Sequence, residues 1–201
     1  MKTGYNLFLP LVLAPALLLQ AACTGSPTPK STDQNPVLID IIGLNIKQDL
    51  AGSTLVFSEA LVYNYTADSL IALKFKHETI TFVQYWDREA RIAFVNAVNS
   101  YAGDYGQKRF PVGLGASGVY GSFRSFIQWQ TFSRAGIYEA YPGITMGCRF
   151  INERDPYFTL TQFSEREVTH RNWNIESPQI SFWFTLSQAR ALSNIFNKYI
   201  E

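Results

Sequence analysis

The chain predicts an α+β fold made of two β-β-β-β-α units, each an antiparallel sheet covered by a helix. Three observations carry this. Apolar and polar residues alternate with a period of two over much of 37–86, as they do in half-buried strands. The spacing changes to three and four between Ala90 and Tyr101, as it does along one face of an amphipathic helix. The same succession, strands and then a helix, returns between residues 119 and 199.

In the first unit Val37, Ile39 and Ile41 alternate, and Gly43 is expected to break the run. A turn at Gly52-Ser53 leads to a long strand with Leu55, Phe57, Leu61, Tyr63 and Tyr65 on one face. Ala67-Asp68-Ser69 turns the chain into a strand at 70–76, and His77-Glu78 into another at 79–86, where Ile80, Phe82 and Trp86 share a face. Asp87 is a good N-cap for the helix that follows. Ala90, Phe94, Ala97, Val98 and Tyr101 form its apolar stripe, and Gly103 is expected to end it.

In the second unit the expected strands are 119–132, 137–151 with a bend at Pro142-Gly143, 157–168 and 179–186. Ser187 is the expected N-cap of a closing helix whose stripe is Leu192, Ile195, Phe196 and Tyr199. The halves, 37–105 and 119–201, are joined by a Gly-rich linker at 106–118. At an offset of one hundred residues Ile80 meets Ile180, Phe82 meets Phe182 and Val95 meets Ile195, which fits an internal duplication. Two successive β-β-β-β-α units resemble, in topology, the whirly and PUR-repeat proteins. That resemblance implies antiparallel sheets with one helix each, and in those families a single-stranded nucleic-acid ligand.

The N-terminus has a different character. Lys2 gives a basic start, an apolar stretch runs from Leu7 to Leu19, and Gln20-Ala21-Ala22-Cys23 follows. This is the layout of an export signal at 1–22. The apolar core is shorter than the ~20 residues of a spanning helix and is interrupted by Pro10 and Pro15. Small residues directly before Cys23 resemble the lipobox of bacterial lipoproteins, with Gln20 standing where that class prefers Leu, Val or Ile. The resemblance implies cleavage before Cys23, lipidation of its thiol and attachment to a membrane. Thr24, where some lipoproteins carry Asp, points by the same resemblance to the outer membrane. A plain cleaved signal and an uncleaved anchor are the other two readings. Residues 24–36 are polar and contain Pro27, Pro29 and Pro36, which reads as a disordered spacer between Cys23 and a domain at 37–201.

Residues 23–201 carry 16 basic and 16 acidic residues, a balance that argues against a general polyanion binder. Residues 113–118 match GxGxxG but precede an expected strand instead of opening a helix, so they read as linker. The two histidines, His77 and His170, have no metal-ligand neighbours at helical or strand spacing. No cofactor, metal site or catalytic residue is expected. Cys148 lies in an apolar strand and reads as a small buried hydrophobe. One strand face carries Arg124, Phe126 and Gln128, which suit stacking on and hydrogen bonding to a sugar or peptide.

The expectation is a bacterial cell-envelope lipoprotein, anchored through Cys23, facing the periplasm or the surface. It acts as a non-catalytic binding or assembly module for an envelope protein or glycan. An exported hydrolase with a non-local site, and a single-stranded nucleic-acid binder by fold analogy, are the alternatives.

Overall fold

The computed structural model describes residues 35–47, 54–110, 118–131, 136–151, 155–169 and 174–200. The export signal, Cys23, almost all of the spacer, most of the Gly-rich linker and His170 lie outside them. The ten strands are β1 (Val37–Lys47), β2 (Leu55–Tyr65), β3 (Leu70–His77), β4 (Ile80–Trp86), β5 (Gly118–Arg124), β6 (Phe126–Thr131), β7 (Tyr138–Ala140), β8 (Gly143–Phe150), β9 (Pro156–Gln162) and β10 (Ile180–Phe184). Helix α1 (Arg88–Gln107) follows β4 and α2 (Leu186–Lys198) follows β10.

The α+β class is as expected, but the strands form one sheet where the sequence predicts two. Its order is β5-β8-β9-β10-β1-β2-β3-β4-β6-β7, with every pairing antiparallel. The sheet curls on itself. Strands β4 and β9 lie five places apart in it, yet Gln84 Nε2 donates to Gln162 Oε1 across the interior at 3.3 Å.

The curl comes from one hairpin that turns a corner. The expected strand 119–132 is broken at Ser125 into β5 and β6, and the expected bend at Pro142-Gly143 separates β7 from β8. Ser125 donates its N–H to Pro142 O at 3.2 Å and its hydroxyl to Tyr85 O at 2.6 Å. One arm of the hairpin, β5 and β8, adds to β9, and the other, β6 and β7, adds to β4. A single bent hairpin thus supplies both ends of the sheet.

Both helices pack on one face of the sheet. Trp86, fully buried, meets Phe94 of α1, Phe123 of β5 and Phe196 of α2 at ring separations of 5.5, 4.8 and 4.8 Å. The α1 stripe is buried as the spacing predicts, and Asp87 caps it by accepting from Ala90 N at 2.7 Å.

Several boundaries differ from expectation for identifiable reasons. β1 runs through Gly43, because Phe57 of β2 lies over that position and a Cβ there would sit 2.9 Å from its ring. Helix α1 passes Gly103 and ends only at Lys108, which adopts the left-handed conformation. Its last turns are held by Tyr101 and Tyr105 against Phe110, and by Asp104, which accepts from Tyr120 Oη at 3.1 Å. The α2 cap is Thr185, not Ser187: Thr185 and Gln188 form a reciprocal capping box, while Ser187 has Arg190 three residues on. β9 stops at Gln162, after which the chain leaves the ladder and Glu167 N–H finds Ile175 O at 2.9 Å. β10 is likewise shorter than expected, because α2 begins at Leu186.

Two glycines should respond in opposite directions to alanine. At Gly147 a Cβ would meet Gly118 O at 2.4 Å across the β5–β8 pair. Gly147→Ala is expected to lower stability by about 1–3 kcal/mol in urea denaturation. Gly103 is helical with nothing within 4 Å, so Gly103→Ala should raise it by about 0.5–1 kcal/mol in the same assay.

Candidate binding face

The sheet face turned away from the helices carries the surface chemistry of this domain. Along β3, Leu73 and Phe75 point into the core while Lys74 and Lys76 alternate outward. On β2, Ala60 and Val62 are fully buried, and Phe57, Glu59, Leu61 and Tyr63 take the outer side. The small side chains of β2 face the core and its aromatic residues face outward.

Register brings these residues together. Leu61, Lys74 and Val83 lie side by side across β2, β3 and β4, and Lys76 sits opposite Thr81. The result is an open trough of about 550 Å³ lined by Phe57, Glu59, Leu61, Lys74, Lys76 and Thr81. Phe57 is 64% exposed, and neighbouring Ile41 of β1, opposite Leu61, is 53% exposed. Apolar side chains at that exposure beside two ammonium groups suit a partner with its own apolar and acidic groups.

Further along the same face lies a second apolar cluster. Leu70, Ala72, Tyr85 and Phe126 are buried there, flanked by Tyr63, Tyr65, Val83 and Tyr141. The rings of Tyr65, Tyr85, Phe126 and Tyr141 follow one another at 5.7, 5.4 and 5.1 Å. Burial, with Tyr65 beside it, raises the Tyr85 phenol above its ordinary pKa, so it stays a donor, to Gln128 Oε1 at 2.9 Å.

The structure gives the three residues of the expected ligand face work within the fold. Phe126 is 1% exposed inside the second cluster. Gln128 accepts from Tyr85 and donates to Glu139 Oε1 at 2.9 Å. Arg124 lies across the corner on β5, where it donates to Tyr141 O and pairs with Glu165 at 3.4 Å. Phe126 and Gln128 do share a face, but the trough that begins on the neighbouring strand β4 is the more open part of it.

Elsewhere, His77 ends β3 opposite Ile80. Cys148 is fully buried, and burial, helped by Asp104, pushes its thiol up to about 11. Among the described residues no group of three His, Cys, Asp or Glu side chains is placed to hold a metal ion, and no helix is long and apolar enough to cross a membrane.

The chain was compared with known proteins. A family model described as "Uncharacterised Treponema protein" matches residues 47–199. No curated protein and no solved structure matches.

Two outcomes follow from these placements. Phe126→Ala is expected to cost about 3–5 kcal/mol in urea denaturation, whereas Lys74→Ala should stay within about 0.5 kcal/mol of the parent. In a Cys23→Ala chain, Cys148 is the one remaining thiol. A disulfide reagent at pH 8 should find it unreactive in the folded protein and fully titratable in denaturant, because the thiolate forms only well above that pH.

Proposed function

The chain belongs to this uncharacterised Treponema family, and we propose that it is a lipoprotein of the bacterial cell envelope, tethered through Cys23, that acts as a non-catalytic binding or assembly module. The observation that carries this reading is the order of segments: an apolar export signal, small residues before Cys23, a Pro-containing polar spacer, and a folded domain entered at Val37. A family named for a bacterial genus is consistent with a bacterial sorting signal. Thr24 favours the outer membrane, with the domain facing the periplasm or the surface.

The open trough supports a binding role. Its residues offer a strand-like array of apolar and charged groups, Lys74 and Lys76 with Glu59, to a protein or glycan of the envelope. The domain itself is read as two β-β-β-β-α units, 37–105 and 119–201, that share one sheet. The parallel junctions of β4 with α1 and β10 with α2 support that reading.

Metabolic labelling with a palmitate analogue tests the tether. Label is expected on the wild-type chain and absent from Cys23→Ala. An unlabelled wild type, secreted in soluble form, would overturn the lipoprotein reading.

A further inference from the structure

A second concavity lies where the two helices meet, away from the trough. α1 begins there at Arg88, and α2 ends there at Lys198. A cleft of about 230 Å³ is lined by Asn64, Thr66, Ser69, Arg88, Arg91 and Lys198, and among the described residues no carboxylate lines it. Three cationic side chains around one small cleft is an unusual concentration in a domain of nearly balanced charge.

Arg91 forms the inner wall. It is 2% exposed, and main-chain carbonyls hold it rather than an acid: Nη1 donates to Ser69 O and Trp86 O at 2.8 and 2.7 Å, and Nη2 to Tyr199 O at 2.8 Å. Its Nε has no hydrogen-bond partner. Carbonyl bonds satisfy the geometry of a guanidinium, and the carboxylate that acts on its charge is Asp87, the α1 cap, which is not among the residues lining the cleft. Arg88 gives only its Nε to Ile200 O at 2.8 Å. Around this fixed charge the hydroxyls of Thr66 and Ser69, the Asn64 amide and the Lys198 ammonium supply donors on exposed or half-buried side chains. A tetrahedral oxyanion matches that donor set and that volume.

The position of the cleft narrows the source of the anion. Asn64 is the register partner of Val37, the first residue of β1. The chain therefore enters the domain from Asn35 and Pro36 at the rim of the cleft. Val37, 57% exposed and opposite Asn64, stands at the same rim. An apolar side chain beside a cationic pocket suits the boundary between headgroups and acyl chains.

We propose that the Arg88–Arg91–Lys198 cleft binds a phosphate oxyanion, and that its source is the headgroup of an anionic lipid in the tethering leaflet. The oxyanion assignment stands on the cleft alone. Only the lipid source rests on the lipoprotein reading.

Amide NMR of the full chain, in bicelles of phosphatidylcholine, separates these parts. Inorganic phosphate, titrated against chloride at constant ionic strength, is expected to give saturable shifts at Asn64, Thr66 and Ser69. Replacing part of the phosphatidylcholine by phosphatidylglycerol should shift the same amides. The double variant Arg88→Gln/Lys198→Gln, which leaves buried Arg91 in place, should bind about tenfold more weakly in both arms. Shifts with inorganic phosphate but none with phosphatidylglycerol would overturn the lipid source and leave a free-phosphate site. Shifts that chloride reproduces, or that the double variant retains, would mean an adventitious ion only and overturn the site. No shift in either arm would overturn it as well. Saturable shifts in a chain that takes no palmitate label would support the cleft while the tether reading falls.

Discussion

The corner at Ser125 is the constraint on which the rest of this fold depends. A flat ten-stranded sheet would leave two long edges and could not wrap a core. Here residues either side of Ser125 pair at opposite ends of the sheet, so the ends are held together by covalent chain. The corner is secured by the Ser125 hydroxyl on Tyr85 O and its N–H on Pro142 O, both in the interior, where an unmade hydrogen bond would cost about 1–3 kcal/mol. Because the sheet closes in this way, Trp86 of β4 can touch Phe123 of β5 at 4.8 Å although their strands are far apart in the sheet order. The aromatic centre of Trp86, Phe94, Phe123 and Phe196 exists only in the curled state.

What the sequence makes legible divides along the same line. Local periodicity is enough for the α1 stripe, for the Asp87 cap and for the alternation along β3 and β4, since each is decided within a dozen residues. Pro142-Gly143 announces a bend, though not that its two sides pair with different strands. Ser125 carries no such announcement; its role is set by Tyr85 and Pro142, which are distant in sequence. Gly43 and Gly103 look like breakers because a glycine's propensity is local, whereas the Phe57 ring over one and the aromatic cluster beyond the other are tertiary. The Thr185–Gln188 box, by contrast, was present in the sequence as the spacing S/T-x-x-E/Q, and the serine two residues on obscured it.

The candidate surfaces follow this pattern. Arg124, Phe126 and Gln128 have the right residue types for recognition, but alternation cannot say whether an outward face is open or covered. Tyr141, Tyr85 and Glu139 occupy it. Lys74 and Lys76 were equally visible as alternating charges in an apolar strand. Their significance needs the register that sets Leu61 and Val83 beside Lys74. The cationic cleft is less local still, assembled from the β2–β3 connection, the first turn of α1 and the last turn of α2.

That cleft also shows how a structural requirement and a binding surface can occupy one place. The last carbonyls of α2 lack helical partners, and Arg88 and Arg91 satisfy those of Tyr199 and Ile200. Cations at a helix C-terminus are favourable in themselves, and Arg91 also ties α2 to the β2–β3 turn through Ser69 O. Packing alone therefore accounts for one buried arginine. It does not require the rest of the Arg88 guanidinium and the Lys198 ammonium to face the same cleft, with no acid among the described lining residues, at the rim where the chain arrives from its N-terminus. In the tethered reading, β1 is the element that transmits any pull from the membrane. It pairs with β2 from Val37 to Lys47 but with β10 only at Ile46 and Lys47. A load along β1 would be shared by the long β2 ladder in shear, while a headgroup held in the cleft beside Asn64 would fix the first rung of that ladder against the membrane.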